Sequence, residues 1–598
     1  MENKKNLIEN LVVFLNGVKY CFIVAFKVSS VCLISRIMIQ LFLTILPYIT
    51  IYSTKMIMND ISDKGFIISN VYYWLFVICA SELSLKILFV IDDFIQNIFS
   101  EKISNFINLN LMKKITNVNI SFFDSPKYLD ILEAVMRDSG VINTFIWNLF
   151  GFFNSIGSLI IAFFMVNQKY RFLALGILLF SIPNMILENL YSRKLYKNKI
   201  KNLPLERQQQ YMQSVCIDSC YAFDIRSYSL GSFIIGKYNK LWNKCFDERK
   251  KIRGRKAIYT SISQVLPEVI VAISLIIVIN DIFKGISTIG DLTMYIAIFP
   301  SLISVMYGVI SSVAVLYSDT LKLSTIKEVD KFGMEKKRSG KVILDNIDSI
   351  EFKNVYFRYE DYLPYVLKDL SFKISKNSVT CIIGINGAGK STIIKLIGRY
   401  YDVTSGEILI NSRNINDYSI ESLRNVLSIV VQDTMNYAFT LRENIHTGNL
   451  NKGVPTDEDI EYILELVNAK YMLTKMFNGG DTLIHRIFQS DAYVPSGGER
   501  QKIAIARSLF RDSNFLIWDE PTASLDTESE KKLFDKIITE SHDKTILFTT
   551  HRLGLVHIAD SIIVIKNGKV IEQGTHRDLI KNGGEYAKIY NFQANKYK

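Results

Sequence analysis

The sequence predicts two structural classes in one chain, a polytopic α-helical membrane domain followed by an α/β domain with a mostly parallel sheet. Six long apolar runs lie in the first part of the chain, and a charged segment at 319–348 follows them. After that segment, short apolar strands alternate with helices and glycine-rich turns. The composition agrees, because 49% of the 598 residues are hydrophobic, including 37 Phe and 31 Tyr. It excludes collagen-like, disordered and disulfide-scaffold proteins.

Each apolar run is long enough, or nearly long enough, to cross a bilayer. About 20 helical residues span a hydrocarbon core of about 30 Å. The fourth run reaches this length when it is extended through Tyr191. We therefore expect six spanning helices within residues 28–318. The runs are residues 31–53, 67–91, 141–166, 172–187, 262–280 and 292–317.

Lys and Arg are distributed unequally between the connecting segments. The segment 191–260 contains 16 Lys and Arg against 5 Asp and Glu, and the whole chain has a net charge of +12. The positive-inside rule places the basic loops, both termini and the C-terminal domain in the cytoplasm, and the chain in the plasma membrane. These loops keep helical periodicity, so we expect them to be extensions of the spanning helices. The basic segment lacks the aromatic residues typical of single-strand binders, and we expect no nucleic-acid partner.

The N-terminal residues 1–27 mix charged and apolar residues and lack a small-residue cleavage site. We expect an interfacial amphipathic helix rather than a signal peptide. The predicted domains are therefore this helix, the membrane domain 28–318, a linker 319–348 and an α/β domain 349–598.

A glycine-rich loop lies between the apolar run 380–383 and a predicted helix at 390–400. Glycines allow successive N–H groups to turn inward around phosphate oxygens, and the helix N-terminus adds a positive dipole end. This spacing is that of a P-loop, in which the lysine neutralises the β- and γ-phosphates and the next hydroxyl ligates Mg²⁺. The predicted nucleotide-binding residues are Gly384, Ile385, Asn386, Gly387, Ala388, Gly389, Lys390, Ser391 and Thr392.

Two acidic residues end the apolar strand at 515–518. Asp519 is predicted to hold Mg²⁺ beside the phosphates. Glu520 is predicted to orient or deprotonate the attacking water. His551 follows another apolar strand, at 545–549, and is predicted to contact the γ-phosphate.

The order of these motifs resembles the nucleotide-binding domain of ATP-binding cassette (ABC) transporters. With six preceding spans, the whole chain resembles an exporter-type half-transporter, most closely the bacterial peptide, bacteriocin or multidrug exporters. The matching positions outside the P-loop are Tyr359, Gln432, 441–445, Ser496, Gly497, Gly498, Asp519, Glu520, 523–526 and His551.

The resemblance implies a role for each matching residue. Tyr359 would stack on adenine, and Gln432 would contact both Mg²⁺ and the attacking water. Asp526 would lie across a dimer interface. Ser496 and the glycines after it, at a helix start, would bind the γ-phosphate of ATP held by the opposite subunit. The short segments 119–132 and 220–233 would dock on the nucleotide-binding domains.

The signature motif departs from the family pattern of Leu-Ser-Gly-Gly-Gln at Pro495 and Glu499. Glu499 places a negative charge near the triphosphate, which weakens attraction unless Arg500 or Lys502 screens it. The partner is therefore either a second copy of the chain, which we favour, or a sister half-transporter in an asymmetric heterodimer.

We predict an ATPase with ATP and Mg²⁺ as cofactors, which exports a peptide, lipid or drug-like substrate through the bilayer. Two alternatives share the architecture: an importer of the siderophore-transporter type, and an ATP-gated channel or regulator. The sequence does not identify the substrate.

Overall fold

The computed structural model describes residues 2–62, 68–124, 128, 131–132, 135–136, 140–166, 168–328, 339–521, 527–540 and 543–594. The chain forms two compact units. The first contains Met1–Thr116 and Lys127–Phe332, and the second contains Asn117–Pro126 and Gly333–Lys598.

The first unit is helical. Within the described residues, six of its helices are long and apolar enough to cross a membrane, which confirms the six predicted spans. The helices are α1 (Glu2–Ser62), α2 (Ile68–Ile115), α3 (Val141–Met165), α4 (Arg171–Ile217), the short α5 (Ala222–Ser227), α6 (Gly231–Phe283) and α7 (Ile289–Glu328).

Most of these helices continue well beyond their apolar stretches, as predicted for the basic loops. Helices α2, α4 and α6 contain 48, 47 and 53 residues. At 1.5 Å per residue, each is about 70–80 Å long, more than twice the hydrocarbon thickness.

Two predicted boundaries in this unit fall within helices. Helix α1 runs through the boundary at residue 27, and its one non-helical residue is Ser29 (φ −165°, ψ 101°). Helix α7 runs through residue 319, the predicted start of the linker, and is described as far as Glu328, nine residues beyond it. Asp319 lies inside this helix, is 2% exposed and pairs with Lys322 at 2.8 Å. A helix continues through a polar stretch when one of its faces stays buried, so hydropathy alone places its end too early.

The charged residue of the first span, Arg36, has a partner on the next helix. Its guanidinium lies 3.3 Å from Asp92, donates to Gln96 at 2.9 Å and lies 4.1 Å from the ring centroid of Trp147. Arg36 and Asp92 are 5% and 7% exposed. Ion pairing, together with a cation–π contact, therefore accounts for this intramembrane charge. In contrast, Glu82, Lys86 and Glu268 are exposed on the surface of the unit.

The second unit contains two sheets. A four-stranded antiparallel sheet has the order β2-β1-β4-β5, and a six-stranded, mostly parallel sheet has the order β10-β9-β3-β8-β7-β6. The strands are β1 (Ser349–Phe357), β2 (Leu367–Ser375), β3 (Val379–Gly384), β4 (Ser405–Ile410), β5 (Arg413–Asn414), β6 (Leu427–Val430), β7 (Phe515–Asp519), β8 (Thr545–Thr549), β9 (Ser561–Lys566) and β10 (Lys569–Gly574).

Helices pack against these sheets. Strands β7 and β8 are buried at every residue, as expected for a parallel sheet covered on both faces. The helices are α8 (Lys390–Ile397), α9 (Ile420–Val426), α10 (Leu441–His446), α11 (Asp457–Leu466), α12 (Gly497–Phe510), α13 (Thr527–Glu540), α14 (His576–Asn582) and α15 (Glu585–Ala594). The segment at 117–126 also belongs to this unit, where Asp124 accepts a hydrogen bond from the Tyr401 hydroxyl.

The strand directions decide where the polar loops meet. Strand β3 is parallel to β8, β8 to β7, and β7 to β6. All four therefore end at the same edge of the sheet, where α/β proteins bind their ligands. The segments that follow them contain the P-loop, His551, Glu520 and Gln432.

Candidate functional site

The P-loop connects the end of β3 to the first residue of α8. Gly387 and Gly389 have φ values of 79° and 105°, in the region that side chains disfavour. A Cβ on Gly389 would lie 2.6 Å from a methyl group of Leu367, so space and conformation both require glycine. Ile385, Asn386 and Gly387 are exposed at the tip of the loop.

Lys390 folds back over this loop. Its Nζ donates to the Gly384 carbonyl at 3.0 Å and lies 3.3 Å from His551 Nε2 and 3.8 Å from Glu520 Oε1. Burial lowers the pKa of Lys390, and the carboxylates of Glu520 and Asp519 offset only part of this effect. A partly desolvated cation with weak partners is well suited to bind a phosphate.

Glu520 is the centre of the polar cluster at this edge. Gln432 Nε2 donates to its Oε2 at 2.8 Å, and His551 Nε2 contacts its Oε1. Burial and the adjacent Lys390 ammonium lower the pKa of His551, although Glu520 acts in the opposite direction. The imidazole is therefore neutral at pH 7.

The backbone of Glu520 is strained, with a φ of 48°. Its N–H is held by the Thr549 hydroxyl oxygen at 3.0 Å, and the same hydroxyl donates to Asp519 Oδ1 at 2.6 Å. A positive φ at a non-glycine residue persists only when its surroundings fix it, and such residues concentrate at functional sites. The structure thus brings together five residues predicted for the site: Lys390, Gln432, Asp519, Glu520 and His551.

Tyr359 lies beyond the end of β1. Its hydroxyl shares a hydrogen bond with Thr392 Oγ1 at 3.1 Å, and its ring makes edge contacts with Phe357 and Tyr401. The Lys395 ammonium lies 5.1 Å from the ring centroid. The aromatic ring is therefore next to the helix that carries the P-loop lysine, where a base attached to bound phosphates would need it.

Ser496 is the N-cap of α12, in a capping box with Glu499. The Glu499 N–H donates to Ser496 Oγ at 3.3 Å, and Glu499 Oε2 accepts from the Ser496 N–H at 2.8 Å. Glu499 Oε1 also accepts from the Tyr493 hydroxyl at 2.8 Å. Gly497 and Gly498 are the first two residues of the helix.

The structure places a cation that is remote in sequence beside Glu499. Arg500 is exposed, and the Lys502 ammonium donates to the Asn468 carbonyl at 2.8 Å. The Lys475 ammonium lies 3.7 Å from Glu499 Oε1. Burial would raise the pKa of Glu499, but the Ser496 N–H, the Tyr493 hydroxyl and Lys475 together hold it below the ordinary value. The carboxylate is therefore ionised and engaged at the helix start.

Asp526 lies outside the described residues. Among the described residues, Ser496 is hydrogen-bonded to Glu499 and, through its carbonyl, to the Arg500 N–H at 2.9 Å, and none of these bonds joins it to the P-loop cluster.

Two family models match the sequence. Residues 367–523 match the model "ABC transporter", and residues 30–306 match "ABC transporter transmembrane region". The chain belongs to the ABC transporter family.

Individual relatives and a solved structure resemble this ABC transporter over different lengths. The subtilin transport ATP-binding protein SpaT of Bacillus subtilis is 28% identical over 605 residues, covering 98% of this chain and 96% of that protein. A putative multidrug export ATP-binding/permease protein of Staphylococcus aureus is 38% identical over 244 residues, or 41% of each chain. The fold is similar to a bacterial Atm1-family ABC exporter with ATP bound, with a TM-score of 0.82 and 20% identity over 94% of this chain and 99% of that one.

Family membership and the six long apolar helices establish a multi-pass membrane protein whose cassette domain binds nucleotide and hydrolyses ATP to drive transport. The predictions of the family, the fold class and the ATPase activity are therefore confirmed. The residues of the ABC transporter that contact ATP remain predictions, which their positions around the sheet edge support.

The side chains at the sheet edge suit a magnesium ion bound together with ATP. Mg²⁺ takes oxygen ligands, and in ATPases it usually keeps several waters and binds few side chains besides the phosphates. Within the part of the chain that the structure describes, no group of three or more His, Cys, Asp or Glu forms a metal cluster. A site made from the Ser391 hydroxyl, the Asp519 carboxylate and the Gln432 amide oxygen fits this preference. When bound, the ion would neutralise phosphate charge.

Sequence reasoning missed several residues that hold the site in place. Thr549 lies opposite Asp519 in the β7–β8 register, so the strand assignments contained a signal for it. Tyr493 and Lys475, which hold Glu499, lie 6 and 24 positions before it in the sequence and follow no motif.

Proposed function

We propose that this chain exports its substrate from the cytoplasm as a dimer of half-transporters. ATP bound between two cassette domains drives the transport. The observation that carries the proposal is the position of Glu520, held between Gln432 and His551 beside the P-loop lysine.

The proposed binding roles follow the order of the motifs. The P-loop, residues 384–392, holds the phosphates through its N–H groups and through Lys390. Tyr359 contacts the adenine. Ser496, Gly497 and Gly498 bind the γ-phosphate of ATP held by the partner, and Asp526 faces that partner. Ser391, Asp519 and Gln432 are the proposed Mg²⁺ ligands.

Glu520 is the proposed catalytic base. Its carboxylate accepts a hydrogen bond from Gln432 and contacts His551, so both of its oxygens are held at the sheet edge, where a carboxylate can accept a proton from water. His551 and Gln432 orient the carboxylate, and Lys390 offsets negative charge on the γ-phosphate.

The export direction and the substrate class rest on relatives. SpaT is named for subtilin transport, and the S. aureus protein for multidrug export. The basic helical extensions support a cytoplasmic position for both termini and the ATPase domain. The partner is a second copy of this chain or a sister half-transporter.

The variant Glu520→Gln tests the catalytic role. It keeps a hydrogen-bond acceptor for Gln432 but cannot take a proton. We expect the purified chain in lipid to bind ATP as the wild type does and to hydrolyse it at less than about 1% of the wild-type rate.

A matched control removes a carboxylate elsewhere in the same domain. Glu528 is 79% exposed and pairs with Lys532, so Glu528→Gln is expected to keep wild-type turnover. Undiminished hydrolysis by Glu520→Gln contradicts the assigned base. ATP-dependent uptake of cargo into inside-out vesicles, and none into right-side-out vesicles, tests the direction.

A further inference from the structure

A cavity of about 920 Å³ with both polar and apolar lining residues lies within the first unit, between α4, α6 and α7. Along α4 its lining extends from Glu188 to Gln213. This stretch of helix is about 37 Å long at 1.5 Å per residue. The cavity is therefore an elongated groove, and about eleven residues of extended polypeptide match its length.

The groove has an excess of positive charge. Three of its cations are neutralised by carboxylates that also line it, and the pairs are Lys256–Glu188 at 2.7 Å, Arg249–Glu206 at 3.4 Å and Lys322–Asp319 at 2.8 Å. Lys199 on α4 and Arg253 on α6 also line the groove. Of the cations that the structure describes there, these two have no carboxylate within ion-pair distance.

The remaining polar lining consists largely of amides and aromatic residues. Gln209, Gln210 and Gln213 follow one another along α4, and Gln213 donates to the Tyr238 hydroxyl at 3.2 Å. Trp242 also lines the groove and is 38% exposed. Side-chain amides can both donate to and accept from peptide groups, and an exposed indole packs against side chains of many shapes.

We propose that this groove binds an extended, carboxylate-bearing segment of a polypeptide substrate. Lys199 and Arg253 recognise the carboxylates, and the exposed amides of Gln210 and Gln213 bind the peptide backbone. The proposal rests on the proposed function, for which it names the substrate class.

The lining favours a polypeptide over the other possible occupants. A lipid would place its acyl chains along the groove, but the glutamines continue the polar lining to Gln213. An acidic peptide satisfies both the charge and the amides.

The test measures peptide binding to the full chain in neutral phosphatidylcholine nanodiscs. The probe is an unstructured peptide of about eleven residues with four Glu, labelled with an uncharged fluorophore, and its twin has Gln at those four positions. We expect the acidic peptide to bind about tenfold more tightly, a preference that weakens as salt is added. The double variant Lys199→Gln/Arg253→Gln is expected to bind both peptides equally.

A second double variant controls for the loss of two charges. Lys197 and Lys250 lie on the same two helices, are exposed and do not line the groove, so Lys197→Gln/Lys250→Gln should keep the preference. ATP hydrolysis without peptide should match the wild type in both double variants, which shows that they fold.

Three results would overturn the inference. The first is equal binding of the two peptides to the wild type. The second is a loss of preference in the control variant equal to that in Lys199→Gln/Arg253→Gln. The third is displacement of the acidic peptide by glycerophosphoglycerol at lower concentrations than by unlabelled acidic peptide. The last result assigns the cations to lipid headgroups. A wild type that hydrolyses ATP but shows no preference refutes this inference alone, whereas a wild type without ATP hydrolysis refutes the proposed function.

Discussion

Glu499 occupies the position at which the family pattern has glutamine. The contacts of its carboxylate predict that its removal destabilises the cassette domain. Its two oxygens accept from the Ser496 N–H and the Tyr493 hydroxyl, both at 2.8 Å, and one of them lies 3.7 Å from Lys475. The side chain is only 9% exposed. We compare Glu499→Ala, which removes all three contacts, with Glu499→Gln, which keeps the shape of the side chain.

The expected loss follows from these contacts. Removing the reciprocal half of the capping box costs about 1 kcal/mol. Leaving the Tyr493 hydroxyl without its acceptor costs about 1–3 kcal/mol. Lys475 is 56% exposed, so its ion pair contributes little. Glu499→Ala should therefore lower the free energy of unfolding of the cassette domain by about 2–4 kcal/mol, and Glu499→Gln by about 1 kcal/mol.

The contribution of Glu499 to the stability of the folded chain depends on pH in a direction that follows from its lowered pKa. The pKa of Glu499 is lowered in the folded chain, so its contribution is fully present above the ordinary carboxyl pKa, about 4.3. It is lost only as the pH falls through the lowered value. The stability difference between wild type and Glu499→Ala should therefore be constant from about pH 6 to pH 8.

Two measurements on the full chain in lipid check this reasoning. Thermal unfolding reports stability, and steady-state hydrolysis against ATP concentration separates kcat from KM. Because Ser496 is proposed to act on ATP held by the partner, Glu499→Ala should lower kcat about tenfold with little change in KM. Glu499→Gln should stay within about threefold of the wild type.

An exposed glutamate on α11 provides the control. Glu461 is 52% exposed and pairs with Lys470, so Glu461→Ala should change neither stability nor kcat. If Glu499→Ala behaves like this control, the capping box does not position the serine. A kcat for Glu499→Gln well above the wild-type value would instead show that the negative charge itself impairs turnover.

Two further perturbations test contacts that join distant parts of the chain. Arg36→Leu removes the cation from the buried Asp92 carboxyl group, so we expect thermal unfolding to show a loss of about 3–5 kcal/mol in stability. The double variant Arg36→Leu/Asp92→Leu should recover most of this loss, and equal losses in the two variants would contradict the pairing. Gln432→Ala removes the 2.8 Å hydrogen bond to Glu520 but leaves Lys390 in place. We therefore expect kcat to fall about tenfold, while the ATP affinity measured by equilibrium binding stays within about threefold of the wild type. An unchanged kcat would show that this hydrogen bond does not position Glu520.

The sequence was informative where the signal is local. A spanning helix is a run of about 20 apolar residues, and a P-loop is a fixed spacing between a strand and a helix, so both are visible in one segment. The ends of the helices were harder to predict from the sequence. Helix α7 continues to Glu328 because Asp319 is buried by its neighbours, which hydropathy cannot show.

Partners remote in sequence were beyond sequence reasoning. Arg36 had no partner near it in the chain, and the structure places Asp92 of another helix beside it. Glu499 has charged neighbours in the sequence at Arg500 and Lys502, and the structure adds Lys475, which belongs to another element and lies 3.7 Å from the carboxylate.

The amino-acid order alone determined the two-class architecture, the six spans and the positions of the nucleotide motifs, because hydropathy and glycine spacing act over a few residues. Only the tertiary structure decided which side chains meet. The parallel alignment of β3, β8, β7 and β6 carries Lys390, His551, Glu520 and Gln432 to one edge. Their contacts depend on strand order, which is set by how the whole domain packs its core.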